Sequence, residues 1–99
     1  MRSLIAVSLI LILNCVFLEA ADAATAESLF HEGQNFYKQK NYRGALECFK
    51  KARDATSLNH ALGKIYGSMA LCYEALEDYD NVVASYKKAA EYLPMILAP

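Results

Sequence analysis

Residues 36–52 read FYKQKNYRGALECFKKA, and residues 73–89, which lie 37 positions later, read YEALEDYDNVVASYKKA. The aromatic and small apolar residues of the first segment return at the same relative positions in the second, and so do the paired lysines near its end. Self-similarity of this length is typical of repeat proteins, in which each unit buries its apolar face against the next unit. The sequence therefore predicts a scaffold of at least two stacked units.

Apolar residues spaced by three, four and seven positions predict four amphipathic helices in this part of the chain, over about 26–39, 42–55, 59–76 and 79–92. The first and second helices, like the third and fourth, are separated by only a few residues, so each helix is expected to run antiparallel to the next. Pro94 is expected to end the fourth helix, because proline cannot continue a helix and disfavours helical geometry in the preceding residue. No strand-like alternation competes with this all-α assignment.

The spacing within each copy identifies the unit. In a frame of about 34 residues that begins at Ala26, Gly33, Phe36 and Tyr42 occupy positions 8, 11 and 17. A second frame, begun at Gly63, has Ala70, Tyr73 and Tyr79 at the same three positions. This frame continues with Val82, Tyr86, Ala89 and Pro94, whereas the first copy has Ser57 at the position of Pro94. This pattern resembles the tetratricopeptide repeat family.

The resemblance implies two antiparallel helix-turn-helix units, four helices in all, stacked as a short right-handed solenoid. Repeat 1 would span about 26–59 and repeat 2 about 63–96, near the family's usual length. The 37-residue spacing exceeds that length by roughly one helical turn, which is expected to lengthen a helix or the link between the repeats. Gly33 and Ala45 are small, so the first two helices are expected to approach closely at these residues.

The N-terminal segment does not share the repeat pattern. Residues 1–3 carry one positive charge, residues 4–18 form a mostly apolar run, and residues 21–23 have the small-x-small form of a cleavage site. These features predict a secretory signal peptide over residues 1–23, a domain over 24–99, and a secreted or periplasmic location. An uncleaved membrane anchor is the alternative, although a membrane span needs about 20 apolar residues. Lipid attachment at Cys15 is a third reading, against which Asn14 argues.

Charge and composition exclude several classes of function. The net charge of the whole chain is −1. Residues 24–56 contain six basic and four acidic residues, and residues 57–99 contain three basic and five acidic residues. The sequence has no concentrated basic face of the kind that binds nucleic acid, so nucleic-acid binding is not expected. The first repeat is mildly basic and the second mildly acidic.

Residues that carry chemistry are few. His31 and His60 have no metal-ligand spacing and are interpreted as ordinary helix residues. No nucleophile motif and no glycine-rich phosphate loop is present. We therefore expect no catalytic residues, no metal, no cofactor and no enzymatic activity.

The resemblance also implies where a partner would bind, because in this family the first helix of each repeat lines a concave groove. Phe30, Tyr37 and Leu71 are apolar residues on this otherwise polar face, and they are candidate anchors for a peptide or a helix of another protein. The alternative is that they pack against the chain's own N-terminal residues. The carboxylate-clamp subfamily differs from this chain at Phe30 and Gln34. The predicted groove residues are Glu27, Phe30, Gln34, Tyr37, Lys38, Lys64, Leu71 and Glu74.

Cys48 and Cys72 lie on the predicted second and third helices, and the resemblance implies that these helices pack together. If the chain is exported, a disulfide between them would persist in an oxidising compartment. Two buried thiols that act as small apolar residues are the alternative.

Two repeats are fewer than the three or more that usually bury a continuous solenoid core. The chain ends in an apolar tail rather than a polar capping helix. The second functional hypothesis is therefore a scaffold that self-associates or co-assembles, either between the basic and acidic repeats or symmetrically through its last helices. The residues proposed for this surface are Val83, Leu93, Met95, Ile96 and Leu97.

Overall fold

The computed structural model describes residues 25–93, all of whose regular secondary structure is helical. Helix α1 occupies residues 25–38, and three further helices follow: α2 (Tyr42–Asp54), α3 (Asn59–Ala75) and α4 (Tyr79–Tyr92). The predicted all-α fold of two helix-turn-helix units is confirmed, and the predicted helix ends agree to within one residue. The predicted signal segment and the apolar tail lie outside the described residues. Within residues 25–93, no helix is long and apolar enough to cross a membrane.

Both hairpin turns have the same backbone geometry. Lys40 and Glu77, which follow α1 and α3, have φ values of 62° and 61°. In each turn one hydrogen bond spans five residues and a second spans three, which is the Schellman arrangement that ends a helix on a left-handed residue. The donor and acceptor pairs are Asn41 N–H to Phe36 C=O at 2.9 Å, Lys40 N–H to Tyr37 C=O at 3.0 Å, Asp78 N–H to Tyr73 C=O at 2.9 Å, and Glu77 N–H to Glu74 C=O at 3.0 Å.

The extra turn of chain between the two units lengthens α3. This helix begins at Asn59, four residues before Gly63, where the second repeat frame starts. The linker before α3 contains a local hydrogen bond between residues two positions apart, in which the Leu58 N–H donates to Oγ1 of Thr56 at 3.2 Å. The exposed side chain of Leu58 therefore stands at the start of α3.

The core lies between the two hairpins, where α2 packs against α3. Phe49 is buried on α2, and Cys72 is buried on α3. Helix α1 packs beside this cluster, and the ring of Phe30 lies 5.5 Å from the ring of Phe49, centroid to centroid. The buried residues that form the core are Ala45, Leu46, Phe49, Ala52, Ile65, Met69 and Cys72.

Helix α4 packs on α3 and closes the second hairpin. The rings of Tyr66 and Tyr92 stack with an interplanar angle of 1° and a centroid separation of 5.8 Å. Leu93 packs against Gly63, where an added Cβ would overlap the leucine side chain. Leu93 is therefore half-buried against the second hairpin, whereas Val83, which was predicted for the same oligomer surface, is exposed. Met95, Ile96 and Leu97 lie outside the described residues.

Candidate functional site

Helices α1 and α3 run in the same direction, because α2 reverses the chain between them, and the surface between them is concave. Two depressions lie along it, which together we call the α1–α3 groove. The N-terminal depression has a volume of about 380 Å³ and the C-terminal depression about 210 Å³. Both are large enough to accept side chains of a bound segment.

The N-terminal depression joins the first turns of both helices. Glu27 and Phe30 line it from α1, and Lys64 lines it from α3. Leu58 of the linker closes one end. The Oε1 atom of Glu27 lies 3.7 Å from Nε2 of His31, so this carboxylate has a neighbouring imidazole on its own helix. The depression thus has an apolar interior and a rim that carries both signs of charge.

The C-terminal depression is formed around Tyr37. Gln34 and Lys38 line it with Tyr37 from α1, Leu71 lines it from α3, and Phe49 forms its base. The side chain of Leu71 is 44% exposed although it is apolar. A leucine in this position offers an apolar contact to a partner.

Tyr37 is held in place by its neighbours. Its ring meets the ring of Tyr42 edge to face, with 5.3 Å between the centroids. Burial raises the pKa of the Tyr37 phenol, and nearby ionisable groups, Glu74 among them, raise it further. The phenol therefore stays protonated at neutral pH and can donate a hydrogen bond to a partner.

Gly67 lies on α3 between Lys64 and Leu71, which line the two depressions. A Cβ built on Gly67 would meet no atom within 4 Å. The backbone of α3 is therefore open to close approach at this residue.

The structure brings together seven of the eight residues that the sequence predicted for the groove: Glu27, Phe30, Gln34, Tyr37, Lys38, Lys64 and Leu71. Glu74 lines neither depression, and it acts on the groove only through its charge near Tyr37. Several residues that line the depressions were not among the predicted groove residues, including His31, Leu58 and His60. The signal that could have found the last two is the extra turn of chain, because the linker and the first turn of α3 form one end of the groove.

Cys48 and Cys72 are both buried, and both are free thiols in the structure, so the disulfide considered from the sequence is not formed there. Burial raises the pKa of both thiols, that of Cys72 to about 11. Neither thiol is therefore activated as a nucleophile.

The described part of the chain holds no group of three or more His, Cys, Asp or Glu residues that could bind a metal ion. The side chains that line the groove are suited to non-covalent contact with another molecule. Apolar anchors, charged rims and one phenol donor are the elements of a protein-recognition surface.

Comparison with known proteins agrees with this geometry. No solved structure matches the chain. A family model described as the tetratricopeptide repeat matches residues 26–57, which contain nearly all of α1, all of α2 and the start of the linker. Residues 26–57 are therefore similar to a tetratricopeptide repeat, and this match, on a fold of two helix-turn-helix units, supports the resemblance of the chain to the tetratricopeptide repeat family.

Proposed function

We propose that this chain is a protein-interaction module that binds a peptide segment or a helix of another protein in the α1–α3 groove. Tetratricopeptide repeats generally mediate interactions between proteins and are generally not enzymes. The observation that carries the proposal is the exposed Leu71 beside Tyr37 in the C-terminal depression. An apolar anchor between polar neighbours is the usual centre of a binding site.

The N-terminal depression supports the same proposal. Its apolar interior is formed by Phe30, Ala61 and Ile65, and its rim carries Glu27 and Lys64. A partner segment would place an apolar side chain in this depression and a second one at Leu71. Charged groups of the partner would meet the rim, where they add orientation more than affinity.

Peptides selected from a random displayed library against the wild-type protein provide the test. Binding of a selected peptide is measured by fluorescence anisotropy for the wild type, Leu71→Glu and Phe30→Ala. We expect both changes to weaken binding by at least about tenfold, because each removes an apolar anchor. Ala84→Glu is the matched control, since it introduces the same charge at an exposed apolar residue of α4 outside the groove.

Thermal unfolding of each variant provides the folding control, because Leu71 is exposed and its replacement should leave the melting temperature unchanged within a few degrees. Peptides that bind Leu71→Glu and Phe30→Ala as tightly as they bind the wild type would place recognition elsewhere. An effect of Ala84→Glu equal to that of Leu71→Glu would contradict the groove as well.

We further propose that the chain is exported and acts outside the cytoplasm, secreted or periplasmic after cleavage near Ala23. The support is the short positively charged start, the apolar run of residues 4–18 and the small residues that follow it. N-terminal sequencing of the native protein tests this. A start at residue 24 is expected, and a start at Met1 or an acylated Cys15 would instead indicate attachment to a membrane.

A further inference from the structure

One face of α4 is apolar and exposed. Tyr79, Val83 and Tyr86 are 62%, 54% and 45% exposed. Their spacings of four and three residues place them on the same side of the helix. We call these three residues the α4 face, and it is separate from the α1–α3 groove.

The corresponding residues of the first hairpin are not exposed. Leu46 and Phe49 lie 37 positions before Val83 and Tyr86, and they are 8% and 1% exposed. They are buried because they share the core with Ile65 and Met69 of α3. The same position in the repeat is thus covered by an apolar helix in one hairpin and uncovered in the other.

A second copy could cover the α4 face with its own α1, which is the counterpart of α3. The residues of α1 at the positions of Ile65, Met69 and Cys72 are polar, however, and all three are exposed. Stacking copies end to end would bury the carboxylate of Glu32 against an apolar surface, which is strongly unfavourable for a charge without a partner. The residues concerned are Ser28, Glu32 and Asn35.

The α4 face of a second copy is a better match, because it is apolar. Asp80 and Lys87 lie seven residues apart, about two turns, and so flank the face on the same side. Val83 lies near the midpoint between them. Antiparallel pairing about Val83 keeps these residues of both copies on one flank and brings each Asp80 close to Lys87 of the other copy.

We propose that two copies of this chain form a two-fold dimer in which the α4 faces pack antiparallel, with Val83 near the axis. The interface is isologous, so it closes at two copies and does not propagate. Helix α4 has 14 residues and is therefore about 21 Å long. A contact of this length is at the small end of specific interfaces, and the dimer is expected to be concentration-dependent.

Sedimentation equilibrium of the chain, in the processed form that the cell produces, tests the proposal over about a hundredfold range of concentration. The wild type is expected to shift from monomer to dimer. Val83→Glu places two like charges at the axis and is expected to weaken the dimer by at least about tenfold. Asn81→Glu, an exposed position on another side of the same helix, is the matched control and should dimerise like the wild type.

A charge exchange tests the antiparallel arrangement. Asp80→Lys and Lys87→Asp are each expected to weaken the dimer by about threefold or more, because each brings like charges together twice. The double variant Asp80→Lys/Lys87→Asp is expected to restore wild-type dimerisation. A wild type that remains monomeric, a wild type that forms larger assemblies without limit, or a double variant weaker than either single one would overturn the proposal.

Discussion

The ring of Phe49 lies directly over Gly33, so that a Cβ built on Gly33 would stand 2.6 Å from Cε1 of the ring. Phe49 is almost completely buried, so its ring is held by the surrounding core. The absence of a side chain at residue 33 therefore sets the distance at which α1 packs on α2.

Gly33→Ala is expected to destabilise the protein, because the added methyl group must displace the buried ring, at a cost of about 1–3 kcal/mol. Gly67→Ala is the matched control. Its Cβ would enter open space, and it should raise the free energy of unfolding by about 0.5–1 kcal/mol, since alanine is the better helix former. Urea denaturation measures both. Equal stability of the two variants would contradict the contact.

Lys40 and Glu77 adopt left-handed backbone conformations that cost a residue with a Cβ roughly 1–2 kcal/mol. Lys40→Gly and Glu77→Gly should each raise the free energy of unfolding by up to about 1 kcal/mol, because glycine adopts this conformation without strain. Gln39→Gly, one residue earlier at an ordinary φ, should be destabilising. Thermal unfolding of the three variants provides the comparison, and a loss of stability in Lys40→Gly would argue against the turn geometry.

The two hairpins differ in how their second helices are capped. Oδ1 of Asn41 accepts a hydrogen bond from the Gly44 N–H at 3.1 Å. Asp78, at the same position in the second repeat, makes no cap and accepts instead from Nδ2 of Asn81 at 2.7 Å. Asn41→Ala is expected to cost about 1 kcal/mol of stability.

Asp78→Ala should cost less than Asn41→Ala, and its effect should shrink at high salt, because its interaction with the helix dipole is screened. Chemical denaturation in low and high salt measures both variants. A larger and salt-insensitive loss in Asp78→Ala would show that Asp78 caps α4 in solution.

The thiols of Cys48 and Cys72 are expected to resist alkylation in the native protein, because both are buried and burial raises the pKa of both. In denaturant without a reductant, both should be modified rapidly. Peptide mapping by mass spectrometry locates the label. If neither residue is modified until a reductant is added, the native protein contains the disulfide.

Stability should fall at alkaline pH. The pKa of the Cys72 thiol is raised by burial from 9.0 to about 11. Between these pH values the unfolded chain loses a proton that the Cys72 thiol keeps in the folded chain. The stabilisation that this thiol contributes is therefore complete below pH 9 and is lost as the pH rises towards 11. The slope from one such group is at most about 1.4 kcal/mol per pH unit.

The raised pKa values of Cys48 and Tyr37 act in the same direction. Cys72→Ala should therefore reduce the loss of stability per pH unit at alkaline pH without abolishing it. Urea denaturation at pH 8, 9 and 10 measures the slopes, and identical slopes in wild type and Cys72→Ala would show that this thiol does not contribute.

Helix positions could be predicted from the sequence because apolar periodicity records which side of each helix is covered. Contacts between particular residues could not be predicted in this way. The sequence predicted that α1 and α2 approach closely at Gly33, but it did not predict that Cε1 of Phe49 would be the nearest atom, because periodicity identifies a face and not the atom that meets it. The left-handed residues of the turns carried no signal either, since Lys40 and Glu77 replace the glycine that usually marks such a turn.

The candidate groove could be predicted as far as the repeat frame extends. Leu58 lies at the end of the first frame and His60 lies between the two frames, both on the extra turn of chain, and they were missed for this reason. Leu93 was assigned to the surface from its place near the chain's end, but its contact with Gly63 depends on how α4 crosses α3. Such a crossing is a property of packing and cannot be read from one helix alone.

The position of the core between α2 and α3 has a consequence for how the chain folds. Neither hairpin contains the core by itself, because Phe49 belongs to the first and Met69 to the second. A chain cut in the linker would give two fragments that each lack half of the buried cluster. Folding must therefore wait until α3 has been synthesised, and the unit of cooperativity is the pair of hairpins and not the single repeat.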